Sequence, residues 1–209
     1  MWHGTDERPE LTYDADESAA MDRWLIDDRG FTLEGLMEQA GVALAAAVSE
    51  LCREHGWSRV VWMVGPGHNG GDALVARRVI QGSLVHTVWR VLTDPAIPDL
   101  TGQALVVDGL FGVGLCRPLE GAAAAAVDGV TSSGLPVLAV DVPSGLDGTT
   151  GEVLGSALVA KWTLTFVGPK TGFFCGSGPD HVGQWRAAEI GFPAEEAASW
   201  VRARRADST

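Results

Sequence analysis

The sequence predicts an α/β fold, a mostly parallel sheet with helices on both faces, and two features of its 209 residues carry that prediction. Short runs of β-branched and apolar residues alternate with segments whose apolar residues recur at helical spacing, the pattern of strand–helix–strand units. The runs are apolar at consecutive positions, as strands buried beneath two helical layers must be.

Taken in order, residues 1–15 are polar and acidic and read as a loose arm, with 16–209 as one domain. From Phe31 onward, Leu33, Leu36, Met37, Ala40, Leu44, Ala47, Val48 and Leu51 repeat every three or four positions. Thr32 is placed to cap that helix and Gly56 to end it. The run 59–64 reads as a buried strand that ends in glycines. A glycine loop at 65–71 then leads into a helix expected from about Asp72 to Ile80, with Asp72 as its cap. Strand-like runs follow at 86–92, 104–110 and 136–142, with an alanine-rich helix at about 119–132 between the last two. Further strands at 161–167 and 183–190 precede a tail from Ala194 that reads as a fraying helix.

Composition removes several function classes. With 15 basic against 27 acidic residues the net charge is −12, which argues against nucleic acid and anionic membrane surfaces as partners. No apolar run approaches the roughly 18 residues of a membrane span, and residues 1–16 lack the apolar core of a signal peptide. Cys52, Cys116 and Cys175 are sparse, odd in number and without metal-ligand spacing, which suggests reduced thiols and a cytoplasmic location. Most of the eight tryptophans are expected in the core or at an interface. Lys161 and Lys170 stand within reach of a phosphate, although solvation is the commoner state of a lysine.

Three strand-like runs end in loops rich in Gly, Asp, Asn and Ser, at 65–72, 108–118 and 141–151, and ligands of such sheets bind beyond the carboxyl ends of the strands. The first loop contains G-x-G-x-x-G, and Asp94 follows at a distance suited to a ribose contact, as in a dinucleotide-binding dehydrogenase. Asn69 and Asp72 point elsewhere: one offers a side-chain carbonyl within the loop, and the other would repel a phosphate at the helix start. In the second loop Asp108 ends a buried run, where a carboxylate needs a partner. Gly112 and Gly114 permit close approach of the backbone, and Arg117 is the candidate for a phosphate. A turn-capping Asp and a surface Arg fit that segment equally well. The third loop carries Asp141 and, after Pro143, Ser144; without G-x-S-x-G around it, Ser144 suits an oxygen ligand better than a nucleophile. Oxygens from Asn69, Asp108 and Ser144 would suit a hard cation.

These residues resemble the NAD(P)H-hydrate epimerases, the YjeF-type N-terminal domain, over about 33–193. The resemblance rests on Leu-Met-Glu-Gln-Ala-Gly at 36–41, the loops 65–72, 108–118 and 141–147, Thr-Leu-Thr-Phe-Val-Gly-Pro-Lys at 163–170, and Glu-Ile-Gly-Phe-Pro at 189–193. It implies a Rossmann-like three-layer α/β/α sandwich, commonly a homodimer. The implied reaction interconverts the R and S forms of hydrated NADH and NADPH, which a separate dehydratase then repairs. Asn69, Asp108 and Ser144 would hold potassium. His68, Asn69, Gly70, Gly71 and Asp72, with Gly112, Val113, Gly114, Leu115, Cys116, Arg117 and Pro118, would hold the nucleotide. Asp141 would contact the reacting ring and act as the catalytic acid/base.

The sequence departs from that pattern at His68, usually Asn, at Ala73, usually Gly, and at Gly109, often Ala. Between 92 and 104 lie eleven residues with two prolines where the family carries a helix and a further strand. Extended, they reach at most roughly 36 Å, so one strand–helix unit is expected to be missing near 93–103, leaving one sheet edge short and in need of cover, as from a partner subunit. The shortening and His68 also leave room for a diverged isomerase, cyclase or lyase on the same scaffold, or a non-catalytic nucleotide-binding homologue.

Overall fold

In the computed structural model, which describes residues 1–94 and 96–207, Asp14 opens the first helix, α1 (Ala15–Asp27). Its carboxylate accepts the Glu17 N–H at 2.7 Å, while the Glu17 carboxylate accepts the Asp14 N–H at 3.1 Å, a complete capping box. Thr32 caps α2 (Leu33–His55) by accepting the Gly35 N–H, and Gly56, with φ 70°, ends it in the left-handed region.

Six strands form one wholly parallel sheet: β1 (Arg59–Val64), β2 (Val85–Arg90), β3 (Leu105–Gly109), β4 (Val137–Val140), β5 (Trp162–Phe166) and β6 (Gln184–Ala188), in the order β2-β1-β3-β4-β5-β6. Alternate residues of β1 serve opposite layers. Val60, Trp62 and Val64 pack beneath α2 and α3 (His68–Val79), whereas Val61 and Met63 face α4 (Gly121–Ser133). Both sets are buried, which is why the strands read as unbroken apolar runs. Fully burying a side chain of this size contributes about 1.5–3 kcal/mol, so the two layers hold the strand ends in fixed relative positions. A short helix α5 (Gly178–Val182) precedes β6, and α6 (Ala194–Asp207) closes the chain.

The shortened connection is present as expected. Among the described residues between β2 and β3 there is no helix; Pro95 lies outside them. The chain turns at Asp94, whose carboxylate accepts the Arg90 N–H at 2.7 Å, so this residue serves the turn and not a ribose. It then runs over the α4 face, with Ile97 against Gly129 and Leu100 against the core. Arg59 fastens it by donating to the carbonyls of Asp99 and Thr101. This leaves β2 as an edge strand with an exposed Val85.

Several elements differ from the sequence expectation. Ala15–Asp27 form α1, a helix not anticipated from the sequence. The arm is tethered: His3 pairs with Trp185 on the β6 edge, and buried Tyr13 bridges to Lys170. Rather than fraying, α6 buries Ala197 and Val201 against α1 and ties down through Arg205–Glu17 at 2.5 Å. Finally, α3 begins at His68, so Asp72 lies in its second turn and caps nothing.

Candidate functional site

A cleft of about 690 Å³ opens beyond the carboxyl ends of the strands, between α1, the start of α3 and the three predicted loops. Of the residues expected to hold a nucleotide, His68, Asn69, Asp72, Gly112, Val113, Gly114, Leu115, Cys116 and Arg117 line it, as does Asp141. Gly70, Gly71 and Pro118 do not. Gly70 packs on the Gly65 carbonyl, Gly71 on Met37, and Pro118 beside Gly155. Gly67, the N-cap of α3, supplies no side-chain hydrogen bond, so the first-turn N–H groups remain open to an anionic ligand. Arg117 also lines the cleft and is exposed.

Asp108, in contrast, is fully buried at the end of β3. One carboxylate oxygen accepts the Ser144 hydroxyl at 2.6 Å and the Leu110 N–H at 3.2 Å, and the other accepts the Ser144 N–H at 2.8 Å. Burial outweighs these bonds and pushes the carboxyl up to about 6. The Ser144 hydroxyl oxygen also accepts the Phe111 N–H at 2.9 Å. Asn69 donates its amide N–H to the Val140 carbonyl at 2.6 Å, which turns its oxygen toward Gly112; any larger side chain there would collide with that amide. The turn 109–112 thus joins Asn69 to the Asp108–Ser144 pair. Among the described residues no three His, Cys, Asp or Glu side chains converge to hold a metal. The donors at this place are instead one carboxylate, one amide oxygen and one hydroxyl, and among the described residues no cationic side chain pairs with Asp108. Such a set fits a weakly charged hard cation better than zinc.

At the end of β4 the second strand-end acid has a different setting. Asp141 adopts φ 65° and Val167, after β5, φ 64°. Left-handed backbone costs a non-glycine residue about 1–3 kcal/mol and is characteristic of functional sites. Lys170 lies 2.8 Å from the Asp141 carboxylate and is only 2% exposed. Its ammonium also donates to the Thr165 hydroxyl at 3.0 Å and to the Phe166 and Gly168 carbonyls at 3.2 Å each. Thr165 completes the group by donating to Asp141 at 3.1 Å. The strained turn at Val167 is therefore what aims two carbonyls at the lysine.

Lys170 corrects the expectation that it is solvated, and Thr165, Tyr13 and Asp22 join the site without having been anticipated. The usable signal was position: Lys170 follows β5 at the same sheet end as the other loops. Lys161 precedes β5 at the far end, its ammonium 4.6 Å from the Trp162 ring centre. Asp22, from α1, and Asp72 complete a group of three cleft acids with Asp141. Burial, then the charges of Asp141 and Asp22, push the Asp72 carboxyl up to about 8. Burial and Asp141 likewise raise Asp22.

A parallel sheet whose strand-end loops enclose buried acids, a lysine and an open helix N-terminus defines a Rossmann-like enzyme acting on a small molecule. The family model described as YjeF-related protein N-terminus matches residues 33–97 and 84–172, and the chain belongs to that family. The two matched stretches overlap over 84–97, which takes in β2 and the start of the connection that lacks a helix. The chain is 40% identical to an NAD(P)H-hydrate epimerase of Bordetella pertussis over 159 residues, 64% of this chain and 69% of that protein. With the NAD(P)H-hydrate epimerase of Limosilactobacillus fermentum it shares 32% over 195 residues, covering 81% and 92%. Against the bifunctional NAD(P)H-hydrate repair enzyme of Gloeobacter violaceus identity is 38%, but the match covers 78% of this chain and only 37% of that protein. The crystal structure of yeast ynu0 superimposes with a TM-score of 0.66 at 20% identity, covering 87% of this chain and 88% of the yeast chain, which shows the shared fold.

Proposed function

We propose that the chain is an isomerase, an NAD(P)H-hydrate epimerase that interconverts the R and S forms of hydrated NADH and NADPH. The observation that carries this reading is the Asp141–Lys170 pair lining the cleft, backed by buried Thr165, in the same cleft as the open N-terminus of α3 and Arg117. The first-turn amides of α3 and the Arg117 guanidinium bind the nucleotide phosphates. The cleft-lining residues His68, Asn69 and Asp72 and the segment 112–117 hold the rest of the molecule. The hydrated ring carries its hydroxyl on C6, next to the ring nitrogen. Loss of that hydroxyl, driven by the nitrogen lone pair, gives a planar iminium-like ring, and return of water to the other face gives the epimer. Asp141 moves the proton that this exchange requires, and Lys170 and Thr165 fix its carboxylate in place.

Asn69, Asp108 and Ser144 are the residues that would hold potassium. Bound there, the ion supplies a fixed positive charge that neutralises Asp108 behind the nucleotide loop. The reading also includes a homodimer, a cytoplasmic location consistent with three free thiols, and a separate dehydratase that consumes the product.

The test is an epimerisation assay with purified R-NADHX and potassium, following S-NADHX by chromatography. Potassium-dependent conversion, reduced about 100-fold or more in Asp141→Asn, is the expected result. Conversion no faster than the spontaneous rate, from folded protein, would overturn the reading and leave His68 as the first residue to examine for other chemistry.

A further inference from the structure

Epimerisation at one carbon takes a hydroxyl from one face of a ring and returns it to the other. A single carboxyl cannot easily serve both faces, and the reading above employs only Asp141. The cleft contains a second acid suited to the work. Asp72 lines it and is only 6% exposed, yet its carboxyl makes no hydrogen bond with any described residue. Asp108 is saturated by donors and Asp141 is held by Lys170. Asp72 has neither, although an unpartnered carboxylate so deeply placed is expensive unless it is neutral or bound to a ligand. It projects from α3, whereas Asp141 ends β4, so the two reach the cleft from different elements.

We propose that Asp72 is the proton donor to the departing C6 hydroxyl and that Asp141 is the base for the water arriving on the opposite face. This rests on the epimerase reading. The C6–O bond breaks, the hydroxyl leaves as water with the Asp72 proton, and the nitrogen lone pair closes the C=N bond. A second water then adds to C6 from the other face. Its proton passes to Asp141, the C6–O bond re-forms and the nitrogen recovers its pair. Asp141 then releases the proton to solvent, and Asp72 takes one back.

The charges facing Asp72 agree with these roles. Asp22 from α1 and Asp141 from the end of β4 both oppose its ionisation, while the Lys170 ammonium is directed at Asp141 and the cleft-lining His68 and Arg117 are both exposed to solvent. A carboxyl held up to about 8 is a proton carrier at neutral pH.

The experiment compares wild type with Asp72→Asn in the R-NADHX assay from pH 6 to about 9.5, with KM and kcat separated and folding checked by thermal melting. Asn keeps the shape and neutrality of the protonated acid but has no proton to give. We expect kcat to fall about 100-fold or more with KM within about threefold. The wild-type fall in kcat above about pH 8 should vanish in the variant. A kcat within about fivefold of wild type, or an unchanged alkaline fall, would overturn the proposal while leaving the epimerase reading intact. Should wild type itself fail to convert NADHX, that reading fails instead. Difference infrared spectra of the same two proteins at neutral pH then decide the protonation: a protonated-carboxyl band lost in Asp72→Asn supports a held proton, and its absence from wild type refutes one.

Discussion

The ends of β3 and β4 are adjacent in the sheet, and each presents an aspartate at the close of an apolar run, yet the two acids are treated in opposite ways. Asp108 is sealed from solvent and receives only neutral donors, two of them from Ser144. Asp141 faces the cleft, sits in strained backbone and has a buried lysine at 2.8 Å. Removing a carboxylate from water costs several kcal/mol, and a close cation recovers more of that cost than neutral hydrogen bonds do. The fold therefore supplies an internal cation to the acid that faces the cleft, the one the proposed function makes catalytic. Where it supplies none, the acid suits an ion from outside.

That contrast is broken most directly at Lys170. Lys170→Met keeps much of the side-chain length but leaves Asp141 buried beside two unfilled carbonyls. Breaking one side of a buried pair costs about 3–5 kcal/mol. We expect a loss of that size in denaturant unfolding, larger than for any variant around Asp108. A loss under about 1 kcal/mol would mean that Asp141 does not depend on the lysine and that the two strand ends are alike.

Much of the fold was legible because it follows from local pattern. Thr32 and Gly56 bound α2 as their chemistry requires, 59–64 is a strand over its full predicted length, and the bare connection between β2 and β3 follows from chain length alone. Asn69, Asp108, Asp141 and Ser144 were legible because strand-end polar residues in a parallel sheet have one place to go. What escaped depends on tertiary placement. Lys170 is an ordinary surface residue by composition, and only the Val167 turn folds it inward. Asp72 reads as a helix cap until α3 is seen to start one turn earlier, at His68. The helix α1 is the exception: it has a capping box and a buried face of Ala20, Met21 and Leu25, signals that were present in the sequence and passed over.

Around Asp108 the informative variant is Ser144→Ala. It removes the hydroxyl at 2.6 Å while sparing the backbone N–H at 2.8 Å, for an expected loss of about 2 kcal/mol at neutral pH. The sign of the pH dependence follows from the raised carboxyl. Its folded value, about 6, lies above the unfolded one, so the stability it contributes is greatest in acid and is lost as pH rises to about 6. Removing a donor raises the folded value further, so the variant should match wild type most closely near about pH 4 and fall furthest behind above about pH 7. Potassium should raise the wild-type melting temperature more than an equal concentration of choline does, and raise that of the variant less. Equal effects of both salts would remove the external-cation side of the comparison.

The smallest expected effect sharpens the other side. Thr165 lies between lysine and aspartate, accepting from Lys170 at 3.0 Å and donating to Asp141 at 3.1 Å. Thr165→Val keeps the side-chain shape and leaves both charges and the two carbonyls in place, so only one neutral bridge is lost. The cost should be about 1 kcal/mol, below that of Ser144→Ala, because the Lys170 ion pair still satisfies the carboxylate. If Thr165 serves only folding, kcat should follow wild type once the protein is folded. If it orients Asp141, kcat for epimerisation should fall about tenfold with KM unchanged, since a carboxylate free to turn about its lysine spends less time aimed at the ring. The second outcome is the one expected here, because backbone strain at Asp141 and Val167 is stable only where surrounding bonds hold an acid in a single orientation.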